Sequence, residues 1–281
     1  MDYKVIVDSC GELTHKMKKS GLFKTAELSM IVDGDTIIDD ENFNQADFLK
    51  KVDVSPESPK SSCPSPEKYM DLYSGDEKRV YGVTLSSELS GSYNSAQLGK
   101  DLWVEEHEEE DKQIHVFNSK SASVGETLIA LKIQECEEQG LPFEKVVEEV
   151  EQYIEEQNTY FVLENLDTLR KNGRLTGIKS IVASALNIKP VMGSTKEGTI
   201  CQLGQARGIK KAVSKMVDHI VQEAKNTEEK ILAIAHCNCP ERAREVQRMI
   251  CDRISVKDSF IVDTAGISTM YANDGGVIVA L

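Results

Sequence analysis

The chain has 281 residues, 40% of them hydrophobic and 28% charged, with a formal net charge of −14 at pH 7 and a pI near 4.9. That length holds one large or two ordinary domains, and the acidic balance excludes the electrostatic footprint of a nucleic-acid or anionic-membrane binder. No run approaches the ~18 apolar residues of a membrane span and no basic-then-apolar leader opens the chain, so neither integral membrane association nor export is expected.

The first apolar run, Tyr3 to Val7, ends in Asp8 and Ser9 and predicts a buried strand. His15 falls in a lysine-rich helix. Next comes a hydroxyl-rich loop, Lys60-Ser61-Ser62-Cys63-Pro64-Ser65, before a helix that Ser65 caps. A second strand, residues 80–85, runs into SSELSGSYNSA from Ser86 to Ala96, and a helix follows. Five serines in eleven residues sit at a strand-to-helix junction. Such a junction exposes free amides and the positive end of a helix dipole, which suits a carboxylate or phosphate. Ser90 and Ser92 add hydroxyls, one of them as the helix cap, and Gly91 allows close approach of the backbone. The acidic run 104–111 predicts a solvated helix end or loop.

A third strand, residues 115–117, ends in Asn118 and Ser119, and helices follow over 128–140 and 143–154. Strands that alternate with helices predict a parallel sheet, whose ligands bind at the carboxyl ends of the strands. The pattern changes near residue 158. A strand at 160–163, a hairpin over 188–206 turning at Lys196-Glu197-Gly198, an amphipathic helix over 209–224, a strand at 231–235, a helix at 241–254 and strands near 259–263 and 276–281 complete the chain. The fold class expected is α/β with two domains. Residues 1–158 form an N-terminal parallel-sheet α/β domain, and 159–281 a C-terminal α+β domain with a mixed or antiparallel sheet.

The catalytic motifs fail one by one. Asp8 lacks the second carboxylate that magnesium-dependent phosphoryl transfer uses, and no phosphate-cradling glycine loop, zinc-protease helix or nucleophile elbow is present. A serine hydrolase acting on an acyl ester or amide is the rival reading: Ser65 with Lys68, Ser92 with Asn94, and Lys196 with Gly198 imitate penicillin-recognising motifs, the third without its hydroxyl. The seven cysteines are odd in number and scattered, and Cys237-Asn-Cys239 has no second pair for zinc. They read as free thiols of a cytoplasmic protein, with no metal and no cofactor.

Taken together, the ordered motifs are specific. VIVDS at Val5–Ser9, SSCPS at Ser61–Ser65, SSELSGSYNSA, NSKSASVG at Asn118–Gly125, LDTLRKNGR at Leu166–Arg174, LNIKPV at Leu186–Val191 and QARGIKKA at Gln205–Ala212 resemble, along essentially the whole chain, the DegV family of bacterial fatty-acid-binding proteins. The resemblance implies a long-chain fatty acid held between two domains. Its carboxylate would meet Ser61, Ser62, Ser90, Gly91 and Ser92, with the acyl chain in the second domain. Ile181, Val182, Ala185, Leu186 and Ile188 are read either as lining of that slot or as a plain helix core. Ser61 stands in place of a family threonine. Tyr271 stands where the family carries a histidine near the carboxylate; it can donate a hydrogen bond but carries no positive charge. The resemblance also implies a carrier without catalysis that presents the fatty acid to a separate fatty-acid kinase subunit, for acyl-phosphate formation in phospholipid synthesis. Arg170, Arg174 and Arg207 are the candidate partner patch.

Overall fold

The computed structural model describes residues 2–108, 111–175 and 187–281. Four parallel strands form the first sheet, in the order β2-β1-β6-β7: β1 (Tyr3–Asp8), β2 (Phe23–Ala26), β6 (Arg79–Thr84) and β7 (Gln113–Asn118). A three-stranded antiparallel sheet, β4-β3-β5, joins β3 (Ser29–Val32), β4 (Asp35–Ile38) and β5 (Lys60–Ser62). The third sheet runs β10-β9-β8-β13-β11-β12, from β8 (Thr159–Val162), β9 (Ile188–Ser194), β10 (Ile200–Arg207), β11 (Ile231–His236), β12 (Asp258–Asp263) and β13 (Val277–Ala280). It is mixed: β11 and β12 are parallel, and its other pairs are antiparallel. The helices are α1 (His15–Ser20), α2 (Gln45–Val54), α3 (Pro66–Tyr73), α4 (Ser92–Glu106), α5 (Val124–Glu138), α6 (Phe143–Glu156), α7 (Asp167–Lys171), α8 (Ile209–Glu223), α9 (Pro240–Cys251) and α10 (Gly266–Ala272).

In the first sheet the chain leaves β1 to pair β2 on one side and returns to pair β6 on the other. Strand order therefore reverses beside β1, and a crevice opens outside the carboxyl ends of β1 and β6. Asp8 ends β1 and the 86–91 turn follows β6, so the sheet itself brings these two segments together.

Alternation decides the faces of the six-stranded sheet. Val162, Val191, Leu232, Ile234, Val277 and Val279 point to α8 and α9, where Val213, Met216, Val217, Ile220 and Val246 close a core. Each such side chain contributes ~1.5–3 kcal/mol on burial. The opposite face carries Ala233, Ala235 and Ala280, small enough for α5 to lie against them through Val124 and Leu128. The other side of α5, with Ile129 and Ile133, packs on β1 and β6 through Val5, Val7, Tyr81 and Val83. One helix thus serves both sheets. Phe161 and Ile278 lie side by side on that second face and stay only partly covered.

The tip of the β9–β10 hairpin reaches across to the first sheet. Ser86 Oγ donates to Gly198 O at 2.8 Å. Gly198 has φ +88°, and a Cβ there would lie 2.4 Å from Ser86 Oγ and 2.8 Å from Lys120 Cα. Gly198→Ala is therefore expected to cost about 1–3 kcal/mol of stability, read as a fall in the urea midpoint. An unchanged midpoint would show that the tip does not dock there.

The sequence reading missed β2, β3 and β4, α2, α7 and α10, and took residues 60–62 for loop where β5 pairs Ser61 with Met30 and Ser62 with Ser29. It also expected Ser90 or Ser92 to cap α4. Gly91 holds the cap position without a side-chain bond, while Ser90 Oγ accepts from Ser92 N at 3.2 Å.

Candidate functional site

Ser61 and Tyr271, separated by 210 positions, meet at the crevice with their hydroxyls 3.0 Å apart. The β5 register aims Ser61 there, and α10 carries Tyr271. Two backbone amides bring α10 into place: Gly266 N and Ile267 N donate to Asp39 Oδ1 and Oδ2 at 2.7 and 2.9 Å. The 86–91 turn closes a third side. A Cβ at Gly91 would lie 3.2 Å from Cys63 Sγ, so this glycine permits the loop after β5 to touch the start of α4. The first-turn amides of α4 have no intrahelical acceptors and favour an anion.

Arg174 completes the mouth. Its Nε donates to Leu89 O at 3.1 Å, its guanidinium also reaches Asn172 O, and it stands over the Tyr271 ring at 5.9 Å. Behind it an apolar cavity of about 760 Å³, counted to its open mouth, runs between the two larger sheets. Cys10, Leu85, Leu89 and Ala122 line it from the first sheet's side, Phe161, Ile200 and Ile278 from the six-stranded sheet, and Ile267 and Tyr271 from α10. That lining suits an apolar ligand with a polar end. Hydroxyls along the wall are already engaged: Ser121 Oγ and Thr159 Oγ1 are 2.5 Å apart, and Thr195 Oγ1 and Thr199 Oγ1 2.9 Å.

The residues expected at the carboxylate separate into groups. Ser61 meets Tyr271, Gly91 lies beside Cys63, two residues past Ser61, and the Ser90 hydroxyl is turned to Ser92 N. Ser62 alternates away and is exposed. Ser92 is fully buried, and its hydroxyl faces inward, donating to Asp8 Oδ2 at 2.6 Å with Tyr69 OH 2.6 Å away. Its side chain is therefore an anchor, and its N–H is given to Ser90 Oγ. Of the expected acyl lining, Ile181, Val182, Ala185 and Leu186 lie outside the described residues. Ile188 opens β9 opposite Arg207 and is not among the described residues that line the cavity. Arg174 belongs to the cavity mouth, whereas Arg170 is exposed with Asp167 at 2.9 Å and Arg207 is exposed at the end of β10. The sequence reading overlooked Phe161 and Ile278. Their signal was period-two alternation on strands whose other face is buried by helices.

The hydrolase reading finds no base. Ser65 Oγ accepts from Lys68 N at 3.3 Å as a helix cap. Four histidines contact other groups: His107 stacks on Trp103, His115 and His219 lie near Glu151 and Glu223, and His236 near Asp263. Among the described residues no histidine bonds Ser61, Ser65 or Ser90. Cys239 Sγ faces Gly276 O at 3.4 Å.

A model for the DegV family of uncharacterised proteins matches residues 2–280. A DegV domain-containing protein of Streptococcus pneumoniae (strain ATCC BAA-255 / R6) is 32% identical over 99% of this chain and 98% of its own. Among solved structures, a DegV family protein from Ruminococcus gnavus ATCC 29149, refined with vaccenic acid, is 63% identical with a TM-score of 0.97 over 100% of both chains. The Streptococcus pneumoniae Fatty Acid Kinase (Fak) B3 protein, loaded with linoleic acid, is 32% identical with a TM-score of 0.88 over 100% of this chain and 99% of that one.

Proposed function

The chain belongs to the DegV family, and from that premise we propose that it carries one long-chain fatty acid and presents the carboxylate to a separate fatty-acid kinase subunit. The observation that carries this reading is the apolar cavity lined by Tyr271, whose hydroxyl meets that of Ser61. The acyl chain lies between the sheets, against Phe161, Ile278 and Leu85. The carboxylate takes hydrogen bonds from Ser61 and Tyr271, with the amides at the start of α4 and the Arg174 charge beside it. Residues 1–158 supply Ser61 and the α4 amides to the anion grip, and 159–281 supply Tyr271, Arg174 and most of the far wall. Vaccenic acid in the Ruminococcus protein and linoleic acid in the pneumococcal one support the ligand class.

The protein is a carrier and leaves the chemistry to its partner. The kinase reading rests on the pneumococcal protein's designation, and exposed Arg170 and Arg207 are the groups offered to it. Seven unpaired cysteines suit a reducing cytoplasm. No helix among the described residues is long and apolar enough to cross a membrane.

A reconstituted assay tests presentation. Purified fatty-acid kinase, ATP and oleate are expected to yield acyl-phosphate only when this protein is added, and Arg170→Ala with Arg207→Ala to slow that reaction without loss of oleate binding. Equal acyl-phosphate with and without the protein would refute the presenting role.

A further inference from the structure

Behind the mouth lies a group of acids that ligand binding does not use. Asp8 is fully buried at the end of β1. Its Oδ2 accepts from Leu85 N at 2.9 Å and from Ser92 Oγ at 2.6 Å, and its Oδ1 from Cys10 N at 3.1 Å. Because Ser92 donates to Asp8, the Tyr69 phenol 2.6 Å away donates to Ser92. Three donors converge on one carboxylate, which marks Asp8 as the charged partner. Glu126, on α5, is also fully buried, and neither of its oxygens has a hydrogen-bond donor. One side-chain oxygen or sulfur from each of Asp8, Cys10 and Glu126 lies within 4.8 Å of the other two. An ionised Glu126 would be a second buried charge with only the weak Cys10 thiol donor to hold it. A neutral Glu126 has an O–H to give, and the Asp8 carboxylate is beside it.

We propose that Glu126 is held as a neutral acid against the Asp8 carboxylate, and that this one-proton pair positions the 86–92 turn of the ligand site. Leu85 ends one side of that turn and Ser92 ends the other, and Asp8 Oδ2 holds both. A second negative charge at Glu126 would repel Asp8 and loosen the turn. Burial and the neighbouring Asp8 and Glu12 charges push the Glu126 carboxyl well above the usual range. Burial also raises Asp8, but Ser92, Leu85 and Cys10 oppose it, so the shared proton resides on Glu126. The other titratable groups around the pair are Cys10 and Glu12 after β1, Asp39 after β4 and Tyr69 on α3. Cys10 and Tyr69 are raised by burial and stay neutral through the same range.

The sign follows from the raised folded-state pKa. The native pair keeps a proton that the unfolded chain releases above about pH 4.3. Its support is complete below that pH and is lost as pH rises through the folded value. The positioning role rests on the fatty-acid reading; the protonation does not. Glu126→Gln replaces the O–H by an amide N–H and removes the titration. Wild type is expected to lose about tenfold or more in oleate affinity on the alkaline side, where one pKa unit of coupling is a factor of ten, while Glu126→Gln binds like wild type at neutral pH and stays flat. The infrared difference between the two proteins is expected to contain a protonated-carboxyl carbonyl band, with or without oleate. If the variant does not fold, a wild-type band that survives above the range in which Asp39 and Glu12 lose their protons, and that disappears on further alkaline titration, decides the same point. Absence of that band, an unchanged alkaline loss in Glu126→Gln, or one equivalent of bound metal ion by elemental analysis would each overturn the proposal. A band present in a protein that takes up no oleate would leave the pair standing and remove the fatty-acid reading instead.

Discussion

Removing both mouth hydroxyls, with Ser61→Ala and Tyr271→Phe together, is expected to weaken oleate binding by at least about 100-fold. A hydrogen bond to a charged acceptor contributes roughly 1.5–3 kcal/mol, or about 10- to 100-fold in affinity. The two hydroxyls stand 3.0 Å apart and share one acceptor, so each single variant is expected to lose more than half of the double variant's effect in free energy. Both side chains are half-buried, so the melting temperature should barely move. Oleyl alcohol provides the internal control: it keeps the acyl chain and lacks the anion, and its weaker binding should respond much less. Equal losses for acid and alcohol would mean that the mutations damage the cavity and that the carboxylate sits elsewhere. Because a phenol offers a hydrogen bond and no cationic group, the positive side of the grip falls to the α4 amides and Arg174. Tyr271→His should therefore add a fall in affinity as the imidazole loses its proton through about pH 6.5, a fall that Tyr271 itself does not produce.

Stability is expected to fall as pH rises from about 5 to 8, opposite to the behaviour of a protein held by salt-bridged carboxylates. Burial pushes Asp39 up to about 6 and Glu12 to about 7, against hydrogen bonds that lower both. Each native carboxyl therefore keeps a proton that the unfolded chain has released. The stability this contributes is complete below the unfolded value near 4 and disappears as pH passes the folded value. Shifts of this size correspond to on the order of 3 kcal/mol per group. His236 works in the opposite sense, since burial lowers its pKa and the native state gains stability as pH rises toward the unfolded value. The comparison that isolates the acids is wild type against Asp39→Asn with Glu12→Gln, melted at each pH. The double variant should lose the part of the slope between about pH 5 and 8 that these two groups supply and keep the part that Glu126 supplies. A wild-type melting temperature that climbs steadily across this range would contradict the assignment. Asp39 ties this slope to the site, because it holds the amides that start α10 and so places Tyr271.

The polar strand ends were legible because parallel sheets put chemistry at their carboxyl rims. Asp8, the 86–91 turn and Asn118 do lie along one edge. The way they share the work was not legible. Ser92 and Ser90 are alike in sequence, and only a partner 84 positions away turns one inward. Helix α10 was missed because it has no cap of its own: Ala265 stands at the cap position, and the acceptor for its first amides is Asp39, 227 positions distant in sequence. Strands β2, β3 and β4 are four residues long and carry too few alternations to register. Of the acyl wall expected near residues 181–188, residues 181–186 lie outside the described residues. The described lining includes strand residues such as Phe161 and Ile278, whose apolar character resembles that of any half-buried strand. Arg174 shows the same limit, since an arginine after a short helix reads as surface until a tyrosine from another segment is seen beneath it.

Native mass spectrometry of the purified protein, before and after incubation with oleate, tests the central claim most directly. The account predicts a single species heavier than the bare chain by one long-chain fatty acid, and marked loss of that ligand when Ser61→Ala and Tyr271→Phe are combined. A chain that is bare as purified and stays bare with excess oleate would contradict it.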